Sequence, residues 1–188
     1  PFDTGEIQRF VDRWFTRDAE KGRLLGAALD RSFPLAHACR SPLVASLVCL
    51  VHEEEALRDH VRRAELYPRA LRLLLKRGWQ ARGIAHAEDD LDERLWLLEH
   101  VAGNLFPRHP EVNQFAHAEV HKVLQEGIRA LGLELSATAA RKELLASGIL
   151  VDAGLDGRGE TQFSFLHRSF LEYLVGRALA RQATDGGW

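Results

Sequence analysis

The 188-residue chain lacks methionine altogether and contains only two cysteines, Cys39 and Cys49. Both lie in apolar, helix-like sequence, where their spacing along one helix would be too long for a disulfide. We therefore expect two small buried side chains, and no disulfide framework of the kind found in small secreted domains. Because the chain begins at Pro1 without an initiator methionine, we also expect it to be a piece of a longer protein.

Long apolar runs and an excess of either charge are also missing. The longest apolar run, residues 42–51, is shorter than the roughly 20 residues that a membrane-spanning helix needs, and no signal peptide is evident. We therefore expect no membrane contact and a cytoplasmic protein. The formal net charge is −2, and neither half of the chain is basic. This argues against nucleic acid as a partner, because such binding depends on clustered Lys and Arg.

The common catalytic motifs are absent too. No Gly-Lys dipeptide occurs, so the chain has no phosphate-binding loop of the GxxxxGK[ST] type, and no GxSxG sequence occurs. His117 and His121 have the i, i+4 spacing of a metal-binding pair, but Ala118 stands where HExxH requires Glu. We therefore favour a solvated helix face over a metal site. The acidic runs 53–55 and 88–92 are interpreted as solvated helix ends.

What the first part of the chain does contain is a succession of helix patterns. Apolar residues recur with i, i+3, i+4 spacing in residues 7–15, which predicts an amphipathic helix. Ser41 and Pro42 suit the start of the next strong pattern, Ser41 as a cap and Pro42 as the first helical residue. That helix is apolar on nearly every side, so we expect it to be central and to end in solvent at residues 52–55.

A further helix pattern covers residues 64–82. Pro68 interrupts it near its start, and we expect this proline to kink the helix or to set its first turn. The polar segment 83–90 follows and is interpreted as a connector between two subdomains.

The second part of the chain changes from helix patterns to strand patterns and back. Residues 115–131 and 136–147 read as helices, the second capped by Ser136 and stopped by Gly148. Two β-type runs, 149–151 and 162–166, then flank a glycine-rich turn. The apolar run that ends at Asp152 resembles a magnesium-binding strand end, but a wing strand is the favoured interpretation. The predicted fold class is mainly α: a helical bundle followed by a winged-helix-like domain with one small β-hairpin.

The most informative stretch is residues 163–180, FSFLHRSFLEYLVGRALA. Its strand-like alternation passes directly into a helix pattern, with His167 at the junction. The first turn of a helix has unpaired N–H groups and a partial positive charge, so a histidine there is well placed to meet an anion such as phosphate. From periodicity alone, a histidine that merely closes the helix start is the alternative.

Four segments in order resemble the region that follows the ATPase core in NACHT-type signal-transduction NTPases of the STAND class, the group that includes NOD-like receptors. The segments are EIQRFVDRWF (6–15), RSPL with its apolar helix and HEEE (40–55), RRAELYPRALRLLLKR (62–77) and LHRSFLEYLVGRALA (166–180). The resemblance covers nearly the whole chain. Pro68 departs from the helix former that is usual at its place.

The resemblance implies a helical domain at 1–85 and a winged-helix domain at 86–188. It implies that Pro42 packs on the adenine ring and that His167 contacts the phosphates of bound ADP. In the full-length protein the cofactors would be ADP or ATP with Mg²⁺, held by an upstream NTPase core; none is expected in this fragment alone. The fragment would be no enzyme, but part of an ATPase-type switch in signal transduction and defence that forms homo-oligomers when activated.

Two other interpretations remain open. A winged-helix DNA-binding regulator would need basic groups on the helix 136–147, which carries only Arg141 and Lys142, and on the wing, where Arg158 lies among acidic residues. A helical adaptor would give His167 and Pro42 no ligand role.

Overall fold

The structure is a computed structural model that describes residues 1–57, 63–83 and 88–185. Its helices and strands, in chain order, are α1 (Thr4–Trp14), α2 (Ala19–Arg31), α3 (Phe33–Ala38), α4 (Pro42–Glu54), α5 (Arg63–Gln80), α6 (Glu88–Leu105), β1 (Phe115–Ala116), α7 (His117–Leu131), α8 (Ala137–Ala146), β2 (Leu150–Leu155), β3 (Thr161–Phe165) and α9 (Arg168–Asp185). The predicted mainly α fold class with a small β element is confirmed.

The chain divides into two compact units, Pro1–Leu73 and Leu74–Trp188, called unit 1 and unit 2 below. The division falls within α5, N-terminal to the domain boundary near residue 85 that the sequence predicts. The predicted connector 83–90 lies largely outside the described residues, and the domain assignment stays a prediction.

Unit 1 is built around α4, as its apolar sequence predicts. The buried residues of this helix are Val44, Ala45, Leu47, Val48, Cys49, Leu50, Val51 and His52. α1 begins with a capping box, in which Asp3 and Glu6 each accept from the other's backbone N–H. Its buried side includes Ile7 and Val11, followed by Phe15 just beyond the helix. The amphipathic helix predicted over residues 7–15 is therefore confirmed.

The end of α4 differs from the solvated end that the sequence predicts. Glu54 and Glu55 are exposed, but His52 is 3% exposed and uses both ring nitrogens. Its Nδ1 accepts from the N–H of Leu57 at 3.1 Å, and its Nε2 lies 3.1 Å from the carbonyl oxygen of Lys21. The imidazole thus joins α2 to the chain that leaves α4, because it offers one donor and one acceptor on opposite sides of one ring.

α5 begins at Arg63, close to the start that the sequence predicts, and Pro68 lies inside the helix, beyond its first turn. Of the two predicted roles of this proline, setting the first turn is therefore wrong, and a kink stays a prediction. A proline inside a helix forfeits one backbone hydrogen bond.

Unit 2 has the winged-helix order of elements, α6, β1, α7, α8, β2, β3 and α9. The predicted hairpin is present as β2 and β3, which pair antiparallel with a bulge between Asp152 and Gly154. A third strand, the two-residue β1, pairs with β3 and gives the sheet order β1-β3-β2. The sequence prediction assigns Phe115 and Ala116 to a helix, and this is wrong. Phe115 pairs with Phe163 on β3, and its ring packs edge-on against Phe165.

The predicted end signals of α8 are confirmed. The Oγ of Ser136 accepts from the N–H of Ala139 at 3.1 Å, and Gly148 follows the helix with φ of 71°, a left-handed conformation that suits glycine.

Candidate functional site

His167 lies between β3 and α9, where the sequence places it. Its Nδ1 accepts from the backbone N–H of Ser169 at 3.1 Å, and the Oγ of Ser169 lies 2.9 Å from the same nitrogen. His167 thus closes the helix start, as the alternative interpretation of the sequence has it, and its contact with phosphate stays a prediction. Because Nδ1 accepts, we infer that the neutral ring carries its hydrogen on Nε2. The side chain is exposed, so Nε2 is available as a donor at the positive end of α9.

The backbone around His167 is held from both sides. Arg168 donates to the carbonyl oxygens of Pro110 and Glu111 at 2.8 and 3.1 Å, and to Glu172 within α9 at 2.8 Å. Asn113 donates to the carbonyl oxygen of Phe165 at 2.8 Å. These hydrogen bonds connect the loop after α6 to the β3–α9 junction. The segment that carries His167 is therefore held by hydrogen bonds on both sides.

Pro42 is the first residue of α4 in unit 1, as predicted, and its ring is exposed. Ser41 occupies the N-cap position, but its side chain makes no capping hydrogen bond, so that part of the prediction is wrong. The Oγ of Ser46 donates to the carbonyl oxygen of Pro42 at 2.9 Å. Pro42 and His167 belong to different units, and each presents an accessible surface in its own unit.

His117 and His121 of α7 lie next to the sheet of unit 2, where His117 contacts Phe163 of β3. The two rings are 5.9 Å apart, and the Nε2 of His117 pairs with the guanidinium of Arg141 on α8. Arg141 lies 5.7 Å from the ring centre of Phe163. No group of three metal-ligating side chains occurs among the described residues. The positive charge of Arg141 beside His117 disfavours a metal ion at this place. Because His117 also packs against Phe163, this face of α7 is not simply the solvated face that the sequence predicts.

The two cysteines are buried and free, as predicted. Cys39 directly follows α3 and Cys49 lies in α4. The two cysteines therefore do not share one helix, and the assumption that they do, made in the sequence analysis, is wrong. Burial raises the pKa of each thiol to about 12. Because only the thiolate is a strong nucleophile, neither cysteine is suited to catalysis.

The remaining predicted candidates have structural roles. The predicted wing strand is confirmed as β2, which continues past Asp152 to Leu155 into the segment predicted as turn. The Asp152 carboxylate accepts from the N–H of Gly154 at 2.8 Å. In the acidic run 53–55, Glu55 pairs with Arg69 at 3.7 Å. The side chains of residues 88 and 89 lie outside those that the structure describes.

The buried ionic groups of unit 2 are not among the residues predicted from the sequence. Glu143 on α8 and Arg94 on α6 are 8% and 6% exposed, and they form an ion pair at 2.7 Å. The indole N–H of Trp79 donates to the same Glu143 oxygen at 3.3 Å. Glu99, 4% exposed, accepts from Arg177 and Arg181 of α9 at 3.1 and 2.9 Å. The only signal in the sequence is a charged residue on the apolar face of a helix.

Unit 1 also contains an open groove of about 490 Å³ beside α3. Its lining residues are Asp3, Thr4, Ile7, Gln8, Leu29, Asp30, Phe33, Ala36, His37 and Arg40. Phe33, 78% exposed, stacks on His37 at 5.8 Å between ring centres. The groove was not predicted from the sequence.

Comparison of the chain with protein-family models, with curated proteins and with solved structures yields no match. Within the residues described, no helix is long and apolar enough to cross a membrane.

Proposed function

We propose that the chain is the regulatory helical and winged-helix part of a NACHT-type signal-transduction NTPase of the STAND class. In this role it closes over ADP or ATP held with Mg²⁺ in an upstream core of the same protein, and controls exchange and homo-oligomerisation. The chain itself carries no catalytic residue, and the location is cytoplasmic. The observation that carries the proposal is His167, an exposed imidazole on a braced helix start whose Nδ1 is already engaged.

The capping hydrogen bond favours the proposed role of His167. With Nδ1 accepting from Ser169, the ring is oriented and its Nε2 is left to donate. A phosphate oxygen is an acceptor that suits such a donor at a helix N-terminus. Pro42 offers an exposed apolar ring at the start of α4, which suits the flat face of an adenine.

The energy of one such contact is sufficient for a switch. A charge-assisted hydrogen bond is worth about 1.5–3 kcal/mol, which changes a two-state ratio about tenfold to a hundredfold. The contact shifts the balance only if it is made in one state and lost in the other. We therefore assign it to the closed, ADP-bound state, and exchange to ATP would release it.

The test uses the full-length protein that the proposal predicts, with two substitutions at one position. His167→Ala removes both the cap and the phosphate donor, whereas His167→Asp keeps a good N-cap and places a negative charge where the phosphate would lie. We expect both variants to bind ADP at least about tenfold more weakly and to raise basal oligomerisation. Ser169→Ala is the matched control, because it keeps the imidazole and the backbone bond to its Nδ1.

Unchanged ADP affinity and unchanged oligomerisation in both His167 variants would contradict the proposal. A helical adaptor predicts a different pattern: His167→Ala loses about 1 kcal/mol of stability, His167→Asp recovers it, and neither alters nucleotide binding. Calorimetry of ADP with the 188-residue chain alone is expected to give no binding, because most phosphate contacts belong to the core.

The winged-helix order of unit 2 also favours a second candidate, a DNA-binding regulator. On α8, however, the only cations are Arg141 and Lys142, which are few for a helix that reads DNA. A gel-shift titration decides: salt-sensitive duplex binding by the chain would favour this candidate over the switch.

A further inference from the structure

Three basic side chains lie close together at the start of α7, and two of them contact the ring of Phe163. His117 contacts Arg141 through Nε2, lies 5.9 Å from His121, and meets Phe163 edge-on at 5.8 Å. Arg141 covers the same Phe163 ring. All of these residues lie in unit 2, and the histidines and Arg141 are partly exposed, so the cluster is packed and yet open to solvent.

Among the residues that the structure describes, no carboxylate pairs with the cluster. Within the described part of the chain Arg141 makes no ion pair, and its polar contact is with an imidazole. The acidic residues of α7 are engaged elsewhere: Glu119 with His109 and Arg108 at 3.1 and 3.6 Å, and Glu126 with Lys122 at 3.9 Å. On α8, Glu143 pairs with Arg94. A partly buried guanidinium normally has an anionic partner.

The backbone at the same place also offers donors. α7 is a 15-residue helix that begins at His117, and its N-cap, Ala116, has no side-chain hydrogen bond to give. The first N–H groups of the helix are therefore uncapped by a side chain, and they add a partial positive charge next to the two histidines. In addition, the buried Nδ1 of His121 has no hydrogen-bond partner among the described residues.

We infer that His117, His121, Arg141 and the first turn of α7 form a binding site for a tetrahedral oxyanion of the phosphate or sulfate class. The guanidinium would supply the N–H groups that do not face His117, the first N–H groups of α7 would add donors, and the ring of Phe163 lies against Arg141. The site is separate from His167 and Pro42 and does not depend on the proposed switch.

The site is expected to bind more tightly at acid pH. Burial first, then Arg141 and His121, lower the pKa of His117, so without a ligand this ring stays neutral to a lower pH than a free histidine. A bound dianion favours the imidazolium form, so binding and proton uptake are coupled. The charged groups facing His117 from α7 and α8 are His121 and Arg141, and the facing strand β3 carries no charged residue.

Sulfate is the sharpest probe, because its charge does not change in this pH range. Sodium sulfate is titrated into the chain against sodium chloride at equal ionic strength, and the backbone amide signals of residues 117–119 are followed by NMR. We expect saturable shifts at these amides, and an affinity that rises several-fold between about pH 7.5 and about pH 5.5, where histidines gain their proton.

Substitutions then locate the site. Arg141→Gln is expected to weaken sulfate binding about tenfold or more, and Arg141→Lys to recover part of it, since charge is kept without the planar fork. Lys142→Gln, its exposed neighbour on α8, is the matched control and should bind like the original chain. His117→Gln provides a second variant, expected to reduce the pH dependence, should Arg141→Gln not fold. Shifts that do not saturate, or that Arg141→Gln and Lys142→Gln reduce equally, would overturn the inference.

Discussion

The interiors of the two units contain different kinds of polar group. In unit 1 the buried polar side chains among the described residues are Ser32 and one histidine, His52. In unit 2 they include three charged ones, Arg94, Glu99 and Glu143. Unit 1 is thus built on an apolar helix with a neutral imidazole at its end, and unit 2 on helices joined by buried ion pairs.

This difference predicts how each unit responds to substitution. A buried ion pair adds little net stability compared with apolar side chains of equal volume, but removing one partner leaves an uncompensated charge and is costly. A buried neutral imidazole is instead sensitive to proton concentration, because its charged form is poorly solvated. Unit 2 should therefore be most vulnerable to the loss of one charge, and unit 1 to acid.

The largest effect is expected at the pair of Arg94 and Glu143. Glu143→Ala removes the carboxylate that pairs with the buried Arg94 at 2.7 Å and leaves it the longer contact with Glu93 at 3.4 Å. We expect the free energy of unfolding, measured by urea denaturation, to fall by about 3 kcal/mol. Glu134→Ala, at an exposed position before α8, should stay within about 0.5 kcal/mol.

The double variant Arg94→Met with Glu143→Leu sharpens the test. It fills the same space without charge, so it should recover most of the stability that Glu143→Ala loses. A double variant as unstable as the single one would mean that the ion pair itself, and not the stranded charge, stabilises unit 2.

A smaller effect is expected where helices of unit 2 approach closely. A Cβ added to Gly78 of α5 would lie 2.7 Å from the Cα and N atoms of Ser147, which are backbone atoms that cannot rotate away. Gly78→Ala should therefore cost about 1–3 kcal/mol. Gly176 of α9 has nothing within 4 Å of such a Cβ, and Gly176→Ala should instead stabilise by up to about 1 kcal/mol through helix propensity. Thermal unfolding of both variants checks the contrast; equal shifts would argue against the close approach.

The order of elements could be predicted from the sequence, because periodicity and end signals are local. The succession of helices and hairpin, the position of Pro42 at a helix start and the alternative, capping role of His167 all follow from a few neighbouring residues. Pairing between distant residues could not be predicted. Phe115 becomes a strand only because β3 is there to pair with it, and Glu143 is buried only because Arg94 and Trp79 lie beside it. His52 looked like the solvated end of α4 for the same reason, since its partners Lys21 and Leu57 come from outside the helix.

The smallest effect, and the one that tests unit 1, is expected from acid acting on His52. Burial lowers its pKa in the folded chain, whereas the unfolded chain takes up a proton near pH 6.5. Between the folded pKa and about 6.5 the unfolded state binds more protons, so stability should be complete above about pH 6.5 and fall as the pH falls below it. Protonation of Nδ1 also breaks the bond from Leu57, about 1 kcal/mol. Hydrogen exchange of the Leu57 amide at a series of pH values measures this locally. His52→Gln should remove the dependence and His37→Gln, an exposed control, should keep it; Leu57 protection that does not change with pH would show that His52 is not the acid-sensitive group of unit 1.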